Sequence, residues 1–412
     1  MWVFYFFAVI VIWQGLMSLA SGVRFLAYVR REMEKPPNNF TPFVSLIAPC
    51  RGLDQGLREN LAALFRQSFP AYEIIFVTDR ADDPAIAVIE EARREFEKQA
   101  HITSRLVIAG EATGSGQKVH NLLAAVAEAD VKSFAFIFAD TDARPSADWL
   151  RWLISPLNCQ NVGAATGYRW FIPERGGFSS HLRAVWNASI ASALGERGDR
   201  NFCWGGATAI RRETFEKLVM RDVWRGTLSD DFALMRALRR AKLDIYFVPA
   251  CLTASVEDCG LLELLEFTTR QLKITRVYAP HFWKAVLAGS LLFVSVFFGG
   301  LALVITRAAL GLSYWLPLML LSLIFILGAA KAALRLRAVR LPLKAYDAEL
   351  TKGALAHLTL WPLASALYLY NAVCALFSRR INWRGITYEL KSPTETVIME
   401  KQVQSSRFKV QG

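Results

Sequence analysis

Residues 134–142 read Phe134-Ala-Phe-Ile-Phe-Ala-Asp140-Thr-Asp142. A short, unbroken apolar run of strand-forming residues is the pattern of a strand buried on both faces, as inside a parallel sheet. Here it runs directly into two acids. At strand spacing Asp140 and Asp142 point the same way, so both carboxylates can serve one hard cation. Magnesium or manganese prefers carboxylate oxygen, keeps open positions and is completed by substrate phosphates. Surface turns carry Asp-x-Asp often, and Asp142 alone would suit a cap of the turn before Pro145. The preceding Phe-Ile-Phe-Ala is not a surface context.

The same alternation extends upstream. Phe43–Ala48 is a β-rich run ending at Pro49, and Leu57–Gln67 has helical spacing. Glu73–Val77 reads as a buried strand. Pro84–Lys98 reads as a helix with Asp83 as N-cap and Pro84 at its first position. Arg105–Ile108 is strand-like and Gln117–Ala129 helical. Strands separated by helices of about ten to fifteen residues predict an α/β, Rossmann-like domain with a mostly parallel sheet. Ligands bind such sheets beyond the carboxyl ends of the strands. That rule selects Pro49-Cys50-Arg51, Thr78-Asp79 and Asp140-Thr141-Asp142. Downstream, Leu228-Ser-Asp-Asp-Phe232 opens another helix. Paired acids at a helix start are ordinarily caps favoured by the dipole. A carboxylate there can also take a proton from a hydroxyl, which makes Asp231 the candidate base and Asp230 its cap or neighbour.

The 412 residues are 53% hydrophobic, 12% aromatic and only 20% charged, too apolar for a domain without membrane segments. Trp2–Val23 holds no charge and is long enough to cross a bilayer; Ala285–Thr306 and Leu312–Ala330 are similar. Ala354–Phe377 is a fourth, less uniform run containing His357 and Pro362. The first run is expected to be an uncleaved anchor, because no basic residue precedes it and it exceeds a signal peptide's apolar region. Arg24, Arg30, Arg31 and Lys35 follow it, so the part between the spans is expected in the cytoplasm. Lys331, Arg335, Arg337, Arg340 and Lys344 after the third run agree. Arg379, Arg380 and Arg384 conflict with a fourth crossing, and Pro362 admits a re-entrant hairpin.

The net charge of +12 suits an anionic membrane surface. No zinc-finger spacing, helix-turn-helix or RNP-like motif supports a nucleic-acid partner. Six cysteines without a CxxC pair argue against structural zinc. The expected organisation is an anchor (1–23), a sheet domain (40–260), an interfacial helix (261–284), membrane segments (285–377) and a tail (378–412), loose from about Ser392.

These residues resemble glycosyltransferase family 2, and within it the ceramide glucosyltransferase-like and hopanoid-associated branch, over nearly the whole chain. Pro49-Cys50-Arg51-Gly52-Leu53-Asp54 is similar to that branch's first-strand motif. Asp82-Asp83-Pro84-Ala85 and Asp140-Thr141-Asp142 resemble its first two aspartate motifs, and Asp230-Asp231 its third. Lys118-Val-His-Asn121-Leu122 resembles its lysine–asparagine helix, and Cys203-Trp204-Gly205-Gly206-Ala207 its acceptor-side glycine segment. Trp383-Arg384-Gly385-Ile386-Thr387-Tyr388 resembles a tail motif.

The resemblance implies a GT-A-type fold and inverting, metal-dependent transfer from a UDP-sugar to a membrane lipid, ceramide-like, hopanoid or diacylglycerol. It places the enzyme in a cell inner or plasma membrane. Asp231 would be the base, and Asp140 and Asp142 would hold Mg2+ or Mn2+. Pro49, Arg51, Asp79, Asp82, Asp83, Lys118, Asn121 and Asp140 would lie at the nucleotide, with Trp204, Gly205, Gly206 and Asp230 on the acceptor side. One departure stands out. Where the family carries (Gln/Arg)-x-x-Arg-Trp, this chain has Arg270-Gln-Leu-Lys273-Ile274. Arg270 and Lys273 are expected at the diphosphate, Lys273 as a point charge instead of a fork, although basic residues before a span also mark the interface. A processive polysaccharide synthase and a non-catalytic membrane scaffold are the alternatives.

Overall fold

The computed structural model describes residues 1–401. Helix α1 (Trp2–Glu34) is followed by β1 (Val44–Pro49), α2 (Leu57–Phe65), β2 (Tyr72–Thr78), α3 (Ala85–Glu95), β3 (Ile102–Ile108), α4 (Gln117–Ala127) and β4 (Ala135–Ala139). The four strands pair in parallel in the order β3-β2-β1-β4. Each apolar run divides its side chains between two faces, as the period of two requires. Leu46, Ile74, Phe76 and Ile137 join a core with Trp149 and Trp170. Ile47, Ile75, Val77, Phe136 and Phe138 join a second core with Val119, Leu122 and Trp224. The predicted helices end two or three residues early, and Pro84 is the N-cap of α3 instead of its first residue.

The second half of the domain adds α5 (Trp149–Ile154), β5 (Val162–Ile172), α6 (Phe178–Ala191) and β6 (Ala207–Arg211). Then come α7 (Arg212–Lys217), α8 (Met220–Trp224), α9 (Asp230–Arg240) and β7 (Asp244–Val256). The sheet closes as β3-β2-β1-β4-β6-β5-β7. Strand β6 runs against both its neighbours, and β7 is parallel to β5. The domain is thus α/β with a mostly parallel sheet, six strands in one sense and one reversed.

Helix α10 (Leu261–Tyr278) leads from the sheet to α11 (Pro280–Ala309) and α12 (Trp315–Val339). Together with α1, these last two are long and apolar enough to cross a membrane. Helix α1 does not stop at Val23. It runs unbroken to Glu34, its last turns bury Phe25, Tyr28 and Val29 in the domain core, and the Tyr28 hydroxyl donates to Phe247 O at 2.5 Å. The anchor and the domain are therefore one rigid continuation.

After α13 (Asp347–Lys352), the fourth apolar run breaks at Leu360 into α14 (Ala354–Thr359) and α15 (Trp361–Phe377). The His357 ring stacks on Trp170 of β5, 5.4 Å between centroids, and the chain beyond Phe377 returns to the same domain. Both ends of the run thus touch the sheet domain. The expected loose tail is corrected for residues 392–401. Strands β8 (Arg380–Trp383), β9 (Ile386–Ser392) and β10 (Glu395–Lys401) form an antiparallel sheet. Alternate residues Ile386, Tyr388 and Leu390 turn inward onto Leu228, Ile274 and Tyr278. Residues 402–412 lie outside the described residues. All six cysteines are free thiols.

Candidate active site

The acids that follow β4 are met by two cations from neighbouring elements. Arg169 of β5 sends Nη2 to Asp140 Oδ2 (3.2 Å) and Asp142 Oδ1 (2.8 Å), and Nη1 to Asp142 Oδ2 (3.2 Å). Lys118 of α4 reaches Asp140 Oδ1 at 2.7 Å and Asp230 Oδ1 at 3.6 Å. Burial works against the charged form of Asp142, but Arg169 overrides it and holds the carboxyl below its usual range. Burial likewise opposes the Lys118 ammonium, which Asp140 and Asp230 nevertheless keep well above the ordinary lysine value.

Asp230 opens α9, where Ser229 is the N-cap and accepts from Phe232 N–H at 3.3 Å. The capping role expected for Asp230 thus falls to Ser229, and Asp230 faces Lys118. Asp230 is buried, and burial pushes its carboxyl up to about 6 against the pull of Lys118. Asp231 accepts from the Phe232 amide through Oδ1 (2.7 Å), which Ser229 also contacts. No hydrogen bond engages Oδ2 among the described residues, so one oxygen is anchored and the other is free. Gly205 and Gly206 lie across from these acids. A methyl group at Gly205 would overlap Asp230 and Lys118, and one at Gly206 would overlap the Trp204 ring. Trp204 itself lies against the Arg169 guanidinium, 4.9 Å from ring centroid to Cζ.

Pro49, Arg51, Lys118, Asn121, Asp140, Asp142, Trp204, Gly205, Asp230, Asp231 and Arg270 all line one cavity of about 1600 Å³. Asn121 accepts from Gln117 Nε2 at 2.8 Å, and Asp79 stands behind Arg51, paired with it at 3.0 Å. Other expected residues are not brought to the cavity wall. Asp83 spends its carboxylate on the Gly52 (3.0 Å) and Ala85 (2.8 Å) amides, tying the β1 loop to α3. Asp82 is exposed and paired with Arg80. Gly206 backs the wall, its carbonyl accepting from Asp140 N–H at 3.3 Å. Lys273 donates to Arg380 O at 2.7 Å and so fastens α10 to β8. Arg270 does face the cavity, lying over Phe267 and Trp383 at 5.5 and 5.4 Å. Among the described residues it has no ion pair, and burial draws it down to about 10, still charged at neutral pH.

Two contributors escaped the sequence reading. Arg169 had a usable signal, a lone charge inside the apolar run Val162–Ile172, which is rarely buried without a partner. The tail supplied a motif without a role. Arg384 donates to Arg51 O (2.6 Å) and to Asp54 Oδ2 (2.8 Å), and the Tyr388 hydroxyl accepts from Gln117 N–H (3.2 Å), so the small sheet covers the mouth of the cavity.

Both carboxylates reach the same Arg169 nitrogen, so their oxygens converge on one positive centre. No third acid, histidine or cysteine joins them among the described residues. A magnesium-type ion needs only one or two carboxylates when phosphates complete its shell, so the donor set fits a hard divalent cation.

Comparison with known proteins gives the family of the chain. Ceramide glucosyltransferase 3 of Caenorhabditis elegans is 22% identical over 245 residues, 58% of this chain and 52% of that protein. Ceramide glucosyltransferase 1 of the same animal is 30% identical over 101 residues, 24% of this chain and 21% of that one. The chain therefore aligns with about half or less of the length of these relatives. Among solved structures, a mannosyltransferase from Pyrobaculum calidifontis in complex with GDP-Man and Mn2+ matches 90% of this chain and 99% of its own. The identity is 17% and the TM-score 0.48. The glycosyl transferase family 21 model matches residues 3–396. The ceramide glucosyltransferase-like resemblance read from the motifs is borne out, and the chain belongs to glycosyl transferase family 21.

Proposed function

We propose that the chain transfers a sugar, with inversion, from a UDP-sugar to the hydroxyl of a membrane lipid at the cytoplasmic face. One observation carries this reading. The cavity that holds Asp140, Asp142 and Asp231 continues without a break between α1, α11 and α12, where Val11, Phe293 and Leu327 line it. A soluble acceptor needs no passage lined by membrane helices.

Asp231 Oδ2 takes the proton from the acceptor hydroxyl as the new bond to the sugar's anomeric carbon forms and the bond to the diphosphate breaks. The amide of Phe232 and the hydroxyl of Ser229 fix the carboxylate while it does so. Held by Asp140 and Asp142, a magnesium or manganese ion would neutralise the departing diphosphate. Arg270, uncommitted and half-buried, meets the same phosphates, and Arg51 and Asn121 line the nucleotide side. Lys118, paired with both Asp140 and Asp230, offsets their mutual repulsion, and the Gly205–Gly206 backbone lets Asp230, Lys118 and the Trp204 ring pack close against it. The apolar run 354–377, with both ends against the sheet domain, is read as re-entrant, which keeps Arg379, Arg380 and Arg384 on the cytoplasmic side.

The test is transfer of radiolabel from UDP-sugars into a lipid extract by the purified protein, with and without manganese. One discrete metal-dependent glycolipid is expected. Asp231→Asn should lower transfer by about 10²–10⁴-fold and still bind UDP with manganese. A folded Asp231→Asn protein with full activity would remove Asp231 from the mechanism.

A further inference from the structure

The membrane end of the cavity carries charge of its own. Lys331 and Arg335 stand one turn apart on α12 and both line the cavity. Arg335 is only 5% exposed, and its Nε has no partner. Among the described residues its guanidinium makes no hydrogen bond and no ion pair. Lys331 reaches Ser18 Oγ of α1 at 2.7 Å and likewise joins no carboxylate. Gln14, one turn before Ser18, lines the same cavity. These four residues form a polar track through otherwise apolar helices.

The contrast with the other end is sharp. There Lys118, Arg169, Arg183 and Arg384 are each matched by an acid. A long basic side chain near a helix end can snorkel to water, but Arg335 stays buried. An uncompensated buried cation is costly, and in a membrane helix it marks a ligand path. Its depth is informative too. Leu336, Ala338 and Val339, directly after Arg335, belong to the core of the sheet domain. Arg335 therefore sits where the helix bundle meets the domain, at the level of lipid headgroups, with apolar Val11, Phe293 and Leu327 elsewhere on the wall for acyl chains. Arg270, whose charged neighbours are Glu266, Arg384, Arg169 and Asp142, is the cation the proposed reading gives to the donor's diphosphate.

We infer that this end of the cavity takes a lipid with a phosphate in its headgroup, gripped by Arg335 and Lys331, and that such a lipid is preferred over a neutral one as acceptor. The guanidinium fork suits phosphate oxygens. The inference rests on the reading of the chain as a lipid glycosyltransferase.

The purified full chain in detergent is offered phosphatidylglycerol or diacylglycerol, and bound lipid is read by native mass spectrometry. Binding of UDP with manganese is measured alongside. Wild type should retain phosphatidylglycerol in preference. Arg335→Gln should cut that occupancy about tenfold, Arg335→Lys should restore part of it, and UDP binding should not change. Lys331→Gln serves as the second variant if Arg335→Gln fails to fold, and it should cut occupancy too. Equal retention of the two lipids by wild type, or full phosphatidylglycerol occupancy in the folded glutamine variants, overturns the inference. So does displacement of the lipid by millimolar inorganic phosphate, which would mark a site for free phosphate. If phosphatidylglycerol binding depends on Arg335 but no lipid receives sugar, the phosphate-headgroup site stands, while its use for an acceptor falls with the transfer reading. If wild type glycosylates diacylglycerol as well as phosphatidylglycerol, the transfer reading stands and the inference falls.

Discussion

Gly205 has no side chain because there is no room for one: a methyl group would enter the space of Asp230 and Lys118. Gly205→Ala should therefore leave the sheet intact and lower transfer by roughly two orders of magnitude, the size expected when a positioned catalytic group is displaced. Steady-state kinetics beside circular dichroism would show it, and an unimpaired alanine variant would mean that the acids tolerate movement. Asp230 has a different signature. Its carboxyl is pushed up to about 6, so the fold favours the protonated form. That contribution to stability is complete below the usual carboxylate value and is lost as pH rises through about 6. Asp230→Asn cannot ionise, so its thermal midpoint should drop less between pH 5 and pH 7 than that of wild type. Equal drops would place the titration elsewhere. The acids themselves were readable in the sequence because an apolar strand delivers Asp140 and Asp142 to a known edge of a parallel sheet. The cations were harder. The family resemblance put Lys273 at the phosphates, yet its ammonium is spent on a backbone carbonyl. Arg169 is brought to the acids only by the β4-β6-β5 order, a long-range fact absent from any local pattern.

Among the elements, β1, β2 and β4 were legible for one reason: each run is buried on both faces and bounded by breakers or helices. Edge strand β3 was legible only in its last residues, Arg105–Ile108. Strand β6 lies reversed between β4 and β5 although the chain meets it after both, and no local rule announces such an insertion. The tail sheet shows a weaker signal that was present but unused. Ile386-Thr-Tyr-Glu-Leu-Lys alternates inward and outward, the mark of a strand with one wet face. Its contribution is testable at Tyr388, which accepts from the Gln117 amide at 3.2 Å at the start of α4. Tyr388→Phe leaves that buried N–H without a partner and should cost about 1–3 kcal/mol. Chemical denaturation in detergent would measure the cost. A shift near zero would mean that the cap of α4 finds another acceptor.

For the molecule as a whole, α1, α12 and the sheet domain form one body, since the last turns of both helices belong to the domain core. The basic residues at those two helix ends favour the cytoplasm for the domain. Cys159 is exposed on it, so a variant keeping only that thiol should react with a membrane-impermeant maleimide in inside-out vesicles and not in intact cells. The opposite labelling would invert the topology. Arg384 meets Arg51 and Asp54 across more than 300 positions of sequence, and that contact bears on biosynthesis. A ribosome delivers Arg51 and Asp54 more than 300 residues before their clasp. Until Arg384 emerges, nothing ties the tail sheet to the first-strand loop. A chain cut before Arg384 should therefore show lower transfer than the chain that carries it, with UDP binding measured beside it.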